Sequence, residues 1–456
     1  MNPWKACDIR GVFPDEVSPD LLRRVGAGVA STFPLHTRIL IAGDFRESTP
    51  LLKAALAEGL LATGAHVVDA GQLPTPVAYF AHARWKTDAV LMVTASHNPA
   101  THNGLKLMLG ELPPTPTELA ELHRRVERGD FPESSGTIET IDPVPAYRNW
   151  VQGRWGNVAA DSQLRVVLDA GNGAWAELAP QIFEVLGFSL HRLFCEIDGR
   201  FPHRSPDCAR SGNLSALREQ VKETHADLGI AWDGDGDRVA FVDETGSVVP
   251  SDVISVLLAR HLLRDNAGAK VVYDIKMSDV VRRTVLESGG IPILERSGHT
   301  FLKRRMITDS CLFGCEVSGH YFFRELRGGD DGVFAALFLA ELVSRSGSLH
   351  AMRESVAPVY ATPDLRFPAV ALPFAEIARR LRHIFATAKE TTIDGLRLEM
   401  PEGSVLARES VTEPIVTMRI EGSSPEDLHR LVETCLRIFP EVLDKITEQI
   451  RQAKGL

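Results

Sequence analysis

The 456-residue chain predicts an α/β architecture of three similar units followed by a smaller C-terminal unit. Three observations carry that expectation. The length exceeds what one hydrophobic core supports and suggests roughly three or four domains. The segments "RILIAGD" (Arg38–Asp44), "LRVVLDAGNG" (Leu164–Gly173) and "AKVVYDIKMS" (Ala269–Ser278) repeat one pattern, a short β-branched run that ends in an aspartate and small or polar residues. Further along each unit a second apolar run leads into a polar loop: "DAVLMVTASHN" from Asp88, "DLGIAWDGDGD" from Asp227 and "DSCLFGCEVSGH" from Asp309.

Amphipathic helical stretches separate the paired strands. "TPLLKAALAEGLLATG" is one, and "SDVVRRTVLESGG" is another, with a serine ahead of the helix and glycine behind it. Each unit thus presents a loop at the end of a strand, where open α/β sheets place ligands. Proline, glycine and serine density marks linkers at 131–145, 243–252 and 357–369. The expected domains are 1–146, 147–250, 251–360 and 361–456. The last has a helical stretch after Pro373, strand candidates on both sides of "RESVTEP" and a helix from about Ser424.

With 44% hydrophobic and 24% charged residues the composition is that of an ordinary globular protein. No apolar run approaches the roughly 20 residues that span a bilayer, and "MNPWKACDIRG" carries no basic-then-apolar leader, so a cytoplasmic protein without a membrane partner is expected. Six scattered cysteines without a C-x-x-C pair speak against a disulfide framework or a zinc site. The net charge of −10 disfavours nonspecific nucleic-acid binding, so an anionic ligand requires specific arginines and lysines gathered locally.

The loops carry the chemistry. In "DGDGDR", Asp233, Asp235 and Asp237 alternate with glycines that permit tight turns, a concentrated set of hard oxygen ligands for Mg²⁺ or Ca²⁺. An EF-hand would place Glu244 correctly at the twelfth position, but it requires glycine where Arg238 stands, and the flanks "LGIAW" and "VAFVD" read as strands. Arg238 makes sense if the metal site also holds a phosphate, which guanidinium binds in a bidentate manner.

Ser96, in "TASHNP", has three readings: a turn residue, a hydrolase nucleophile, or a serine that carries a group. It lacks a G-x-S-x-G elbow, and His97 is its immediate neighbour, so a triad is unsupported. "S-x-N-P" is sound turn chemistry. A phosphoryl group on Ser96 would instead supply oxygens to a cation on the three aspartates and add about −1.5 to −2 charge for Arg238 and Lys106 to balance. In "CEVSGH", Glu316 and Ser318 suit vicinal sugar hydroxyls and His320 suits proton exchange, although the loop says little by itself. "RSGHTFLK" adds His299. In "ARESVTEP", Arg408, Ser410 and Thr412 alternate around a turn, equally consistent with a phosphate clamp or a hydrophilic loop.

In this order the motifs resemble those of the α-D-phosphohexomutase family, especially its phosphomannomutase/phosphoglucomutase branch, over nearly the whole chain. "TASHNP" resembles the phosphoserine loop, "DGDGDR" the metal loop, "ExSGH" the sugar loop and "RxSxTEP" the phosphate loop. The resemblance implies three similar mixed α/β domains plus a smaller C-terminal α+β domain around a central cleft. It further implies phosphoryl donation by Ser96, which with Asp233, Asp235 and Asp237 binds Mg²⁺. Glu316 and Ser318 would contact sugar hydroxyls, and Arg408, Ser410 and Thr412 would hold the nonreacting phosphate. Arg10 of "DIRG", Lys106 of "NGLK", Arg238, His299 and His320 would lie near the reacting groups.

The implied activity is reversible interconversion of hexose 1-phosphate and hexose 6-phosphate of mannose or glucose through a hexose 1,6-bisphosphate, with a phosphosugar as partner and a monomer as the expected state. Phosphoglucosamine mutase is the alternative within the family; its sugar loop usually carries glutamine where Val317 stands here. A calcium-binding or sugar-phosphate-binding protein without turnover is the alternative outside it. Cys7 departs from the aromatic residue that commonly precedes "DIRG", and Val411 from the small or amide residue usual in the phosphate loop.

Overall fold

The computed structural model describes residues 2–156, 158, 164–410 and 415–454. Its first three sheets are variations on one topology. In the first, Arg38–Gly43 lies between parallel neighbours His66–Gln72 and Ala89–Val93, and Ala89–Val93 folds back antiparallel into His102–Leu109, which pairs in turn with Ile9–Val12. The second sheet places Arg165–Asp169 between Ser189–Leu193 and Leu228–Trp232, continues through a hairpin to Val239–Asp243, and ends at Val248–Val249. In the third, Lys270–Asp274 lies between Ile291–Glu295 and Phe313–Cys315, followed by Tyr321–Phe323 and Gly329–Asp330. The repeat seen in the sequence is therefore a repeat of topology. It makes the hairpin loops 94–101, 233–238 and 316–320 structural equivalents.

The central strands are buried along their length, which is why they read as continuous apolar runs rather than alternating ones. Several helices start where the sequence provides a side-chain cap. Ser278 Oγ accepts from Val280 N at 3.2 Å ahead of Asp279–Glu287, and Thr115 with Glu118 forms a capping box ahead of Pro116–Arg128. The helix Gly332–Ser346 is apolar nearly all round and packs against the second domain as well as the third; Phe334 stacks on Trp150 with ring centroids 5.3 Å apart. One core accordingly runs from Leu40 of the first domain through the second to Val356 of the third.

The C-terminal domain has its own core, centred on Phe367, Leu398, Val405, Met418 and Phe439. Its sheet is antiparallel where Leu396–Met400, Gly403–Glu409 and Ile415–Gly422 pair in sequence, and the helices Phe374–Ile384 and Pro425–Ile438 complete it. The segments expected as linkers contribute to sheets: Thr137–Thr140 forms an edge of the first sheet, and Leu365–Pro368 pairs with Ile415–Gly422 in the last. Among the described residues no helix is long and apolar enough to cross a membrane.

Candidate active site

The buried strand Ala89–Val93 delivers Ser96 into a turn with φ of 51°. Thr94 fixes that turn by accepting from Ser96 N at 2.9 Å and donating its own hydroxyl to Asp44 at 2.7 Å. Ser96 Oγ donates to Asp233 Oδ2 at 2.8 Å, whereas His97 Nδ1 stands off at 3.4 Å. The serine thus faces the metal loop rather than an imidazole base, which leaves the hydrolase reading without geometry.

Both glycines of the metal loop are required by close approach. A Cβ on Gly234 would lie 2.6 Å from the carbonyl oxygen of Ser96, and one on Gly236, at φ +85°, would meet the Trp175 ring at 2.2 Å. Strands flank the loop on both sides, and Glu244 bonds to Ser348 and His350 instead of returning to the aspartates, so no EF-hand is present.

Carboxylate oxygens of Asp233, Asp235 and Asp237 lie within 4.8 Å of one another, all buried. Lys106 Nζ donates to Oδ2 of both Asp235 and Asp237, and Thr75 Oγ1 adds a bond to Asp235 at 2.7 Å. The Oδ1 atoms of Asp235 and Asp237 are buried and have no partner among the described residues. Burial together with the charges of Asp235 and Asp237 pushes Asp233 well above the ordinary carboxylate range. Burial would lower Lys106, but the same aspartates hold it above the ordinary lysine value. Orphaned, mutually repelling oxygens of this kind fit a hard divalent cation.

Arg238 joins this loop to the next. Its Nε donates to His320 Nε2 at 2.9 Å, and His320 Nδ1 faces Asp330 Oδ2 at 2.9 Å. His299 stacks on His320 with centroids 5.5 Å apart; burial, then the charge of Lys106, depresses it far below the ordinary histidine value. Glu316 Oε2, Ser318 Oγ and His299 Nε2 are buried without partners among the described residues. An unmet buried group costs about 1–3 kcal/mol, so this loop is suited to a ligand rich in hydroxyls.

Arg10 pairs with Asp8 at 2.5 Å and reaches Asn98 of the Ser96 loop at 3.4 Å. Arg408 pairs with Asp394 at 3.0 Å, and Asp394 in turn accepts from Ser297 N at 3.1 Å, which ties the C-terminal domain to the His299 loop. Ser410 N donates to Ile415 O at 2.9 Å, while Thr412 lies outside the described residues.

The residues that sequence reasoning missed are those that hold the others. Asp330 orients His320 and pairs with Lys303 at 2.8 Å, and the Lys303 ammonium sits 3.3 Å over the Tyr79 ring. Lys303 falls one helical turn after His299, a spacing that places both on one helix face and was the available signal. Asp330, in "GGDDG", and Thr75 offered none.

Three α/β domains, each presenting one loop of a shared serine–carboxylate–cation centre, define a multidomain enzyme that handles phosphorylated ligands. The family models for the phosphoglucomutase/phosphomannomutase alpha/beta/alpha domains I, II and III match residues 3–133, 148–246 and 250–360. The chain is 33% identical to a phosphomannomutase/phosphoglucomutase of Pseudomonas aeruginosa, covering 94% of this chain and 93% of that one. It is also 33% identical to a phosphoglucomutase of Neisseria gonorrhoeae, with 94% of each covered. A crystal structure of a phosphoglucomutase/phosphomannomutase family protein from Burkholderia thailandensis superposes with a TM-score of 0.87 at 34% identity, over 96% of this chain and 98% of that one. The chain belongs to the α-D-phosphohexomutase family.

Proposed function

We infer that this enzyme interconverts hexose 1-phosphate and hexose 6-phosphate of glucose, mannose or both, with Ser96 as phosphoryl donor and acceptor. The observation that carries the reading is the 2.8 Å bond between Ser96 and Asp233, in a centre where Lys106 and Arg238 supply positive charge. Phospho-Ser96 gives its phosphoryl group to the free hydroxyl of the sugar phosphate. The resulting 1,6-bisphosphate turns over and returns its other phosphate to Ser96. Asp233, Asp235, Asp237 and Ser96 would hold Mg²⁺, which when bound neutralises charge on the transferring phosphoryl oxygens. Lys106 and Arg238 stabilise the same charge from fixed positions, and Arg10 supports the serine loop through Asn98.

His299, whose Nε2 has no partner among the described residues, is assigned the hydroxyl proton, while His320, held at Nε2 by Arg238 and at Nδ1 by Asp330, supports the cations near the reacting groups. Glu316 and Ser318 bind sugar hydroxyls in both orientations, and Arg408, Ser410 and Thr412 hold the phosphate that is not reacting. Six free thiols suit a reducing, cytoplasmic compartment, and the enzyme is expected to act as a monomer. A coupled assay with Mg²⁺ and a trace of hexose 1,6-bisphosphate should show turnover of glucose or mannose phosphate. Preference for glucosamine phosphate would transfer the reading to the amino-sugar branch. Binding without turnover, with no phosphate on Ser96 by intact mass, would reject it.

A further inference from the structure

The three central strands end in equivalent aspartates, Asp44, Asp169 and Asp274, each with a cation beside it. In the first domain that cation is Arg46, whose side chain is wholly buried. Its Nε pairs with Asp44 at 3.0 Å. Its Nη2 donates to the carbonyls of Ser96 at 2.8 Å and Asn98 at 2.7 Å, and its Nη1 to those of Pro99 at 2.6 Å and His102 at 3.1 Å. One guanidinium therefore spans the loop from the reacting serine to the next strand. Asp44 also accepts from Thr94, the residue that fixes Ser96 N, so both sides of the left-handed turn are referred to the same ion pair.

The second domain closes over this device. The Phe201 ring lies 5.0 Å from the Arg46 guanidinium carbon and buries its free face, and Phe201 itself adopts a φ of 51°. A Cβ on the nearby Gly199 would lie 2.3 Å from the carbonyl of Phe45, which shows how closely the two backbones meet. The same Phe201 ring would be 3.3 Å from a Cβ on Gly234 of the metal loop. Phe201 thus touches the support of the serine loop and the metal loop at once. In the second domain Arg204 repeats the arrangement, pairing with Asp169 at 2.9 Å and donating to Trp232 O at 2.8 Å, just ahead of Asp233.

We propose that Arg46, under the Phe201 ring of the second domain, is a positioning residue that sets the register of Ser96 against the metal loop. The proposal rests on the assignment of Ser96 as phosphoryl carrier. It requires the fork of Arg46, not merely its charge, because lysine cannot serve four carbonyls and a carboxylate from one planar group. It also makes Phe201 act through Arg46.

The test uses full-length Arg46→Lys, Phe201→Leu and the double variant, with turnover expressed per mole of Ser96 phosphate determined by mass spectrometry. A purely structural role would lower the yield of folded enzyme but leave this ratio unchanged. Arg46→Lys should lower kcat per phosphoserine about a hundredfold with KM for glucose 1-phosphate within about twofold, as expected for a misplaced reacting group. Phe201→Leu should lower it about fivefold, and the double variant should be no worse than Arg46→Lys. Unchanged kcat per phosphoserine, additive losses, or a KM that rises in step with the loss of kcat would overturn the proposal. If Arg46→Lys does not fold, Phe201→Leu decides alone, a normal kcat per phosphoserine rejecting the idea. Absence of Ser96 phosphate from active wild-type enzyme would instead reject the assignment of Ser96.

Discussion

The serine and metal loops differ from the two recognition loops in how they are held. Loop 94–101 is held by the buried Arg46 on Asp44, the strand leading into loop 233–238 is held at Trp232 O by the buried Arg204 on Asp169, and the two loops share a direct Ser96–Asp233 bond. In the third domain the corresponding cation is Lys276, 3.6 Å from Asp274, and among the described residues it donates to no backbone of loop 316–320. That loop retains Glu316 Oε2 and Ser318 Oγ without partners among the described residues. The C-terminal domain has a separate core and docks through polar contacts: Arg397 donates to Ile275 O at 2.7 Å, Arg419 to Lys276 O at 2.7 Å, and Ser278 to Glu421 at 2.7 Å. On the proposed reading, the groups assigned to the transferring phosphoryl are bonded to one another apart from the aspartate oxygens left for a cation, whereas Glu316 and Ser318, assigned to the sugar, and Arg408, assigned to the second phosphate, each keep an atom without a partner among the described residues. Damage to the first set should therefore appear in kcat and damage to the second in KM.

The hardest test of that division is Ser96→Ala. It should abolish the phosphate seen by intact mass and lower turnover by about a thousandfold or more, while the fold is retained with the unfolding temperature lowered by about a few degrees at most, since one hydroxyl and its buried bond to Asp233 are lost. Full activity in this variant would end the distinction between the two sets. Asp235→Asn comes next, with an expected loss of about a hundredfold in kcat. It removes one of the charges that hold Lys106 and that would hold the proposed cation. Mg²⁺ should raise the unfolding temperature of the wild type by binding the native state alone, and this rise should shrink in Asp235→Asn. An undiminished rise would place the cation elsewhere.

What was legible in advance follows the same division. "DGDGDR" concentrates its ligands in consecutive residues, so its chemistry could be read directly, and the strand-end aspartates marked the three equivalent domains. The bond from Ser96 to Asp233 joins residues 137 apart; the phosphoserine reading linked those loops through charge and ligand chemistry and the family resemblance added their order, but no local spacing could show the contact. Arg46 and Phe201 sit in "DFREST" and "DGRFPHR", polar-looking segments whose importance arises from a meeting of two domains. Thr137–Thr140 passed for linker because every residue in it is exposed, leaving no apolar alternation to signal an edge strand.

The smallest expected effect concerns Arg408, and it addresses the recognition side of the comparison. If this guanidinium holds the nonreacting phosphate as proposed, the contact exists in the ground state and persists through transfer, so Arg408→Ala should raise KM and leave kcat within about twofold. One charge-assisted hydrogen bond is worth about 1.5–3 kcal/mol, which sets the loss in kcat/KM at about ten- to a hundredfold. Part of that loss has a separate source. Arg408 is also the partner of Asp394, and its removal leaves a carboxylate unpaired beside the phosphate loop, where it repels the ligand. Arg408→Ala with Asp394→Asn should therefore recover some of the KM while retaining the donation from Ser297 N to the amide oxygen that replaces the carboxylate. A bisphosphate that is held less tightly should also escape more often, which a chase with excess substrate would detect as intermediate in solution. A loss confined to kcat, with KM unchanged and no escape, would place Arg408 among the groups that act on the transferring phosphoryl and remove the contrast between the two sets of loops.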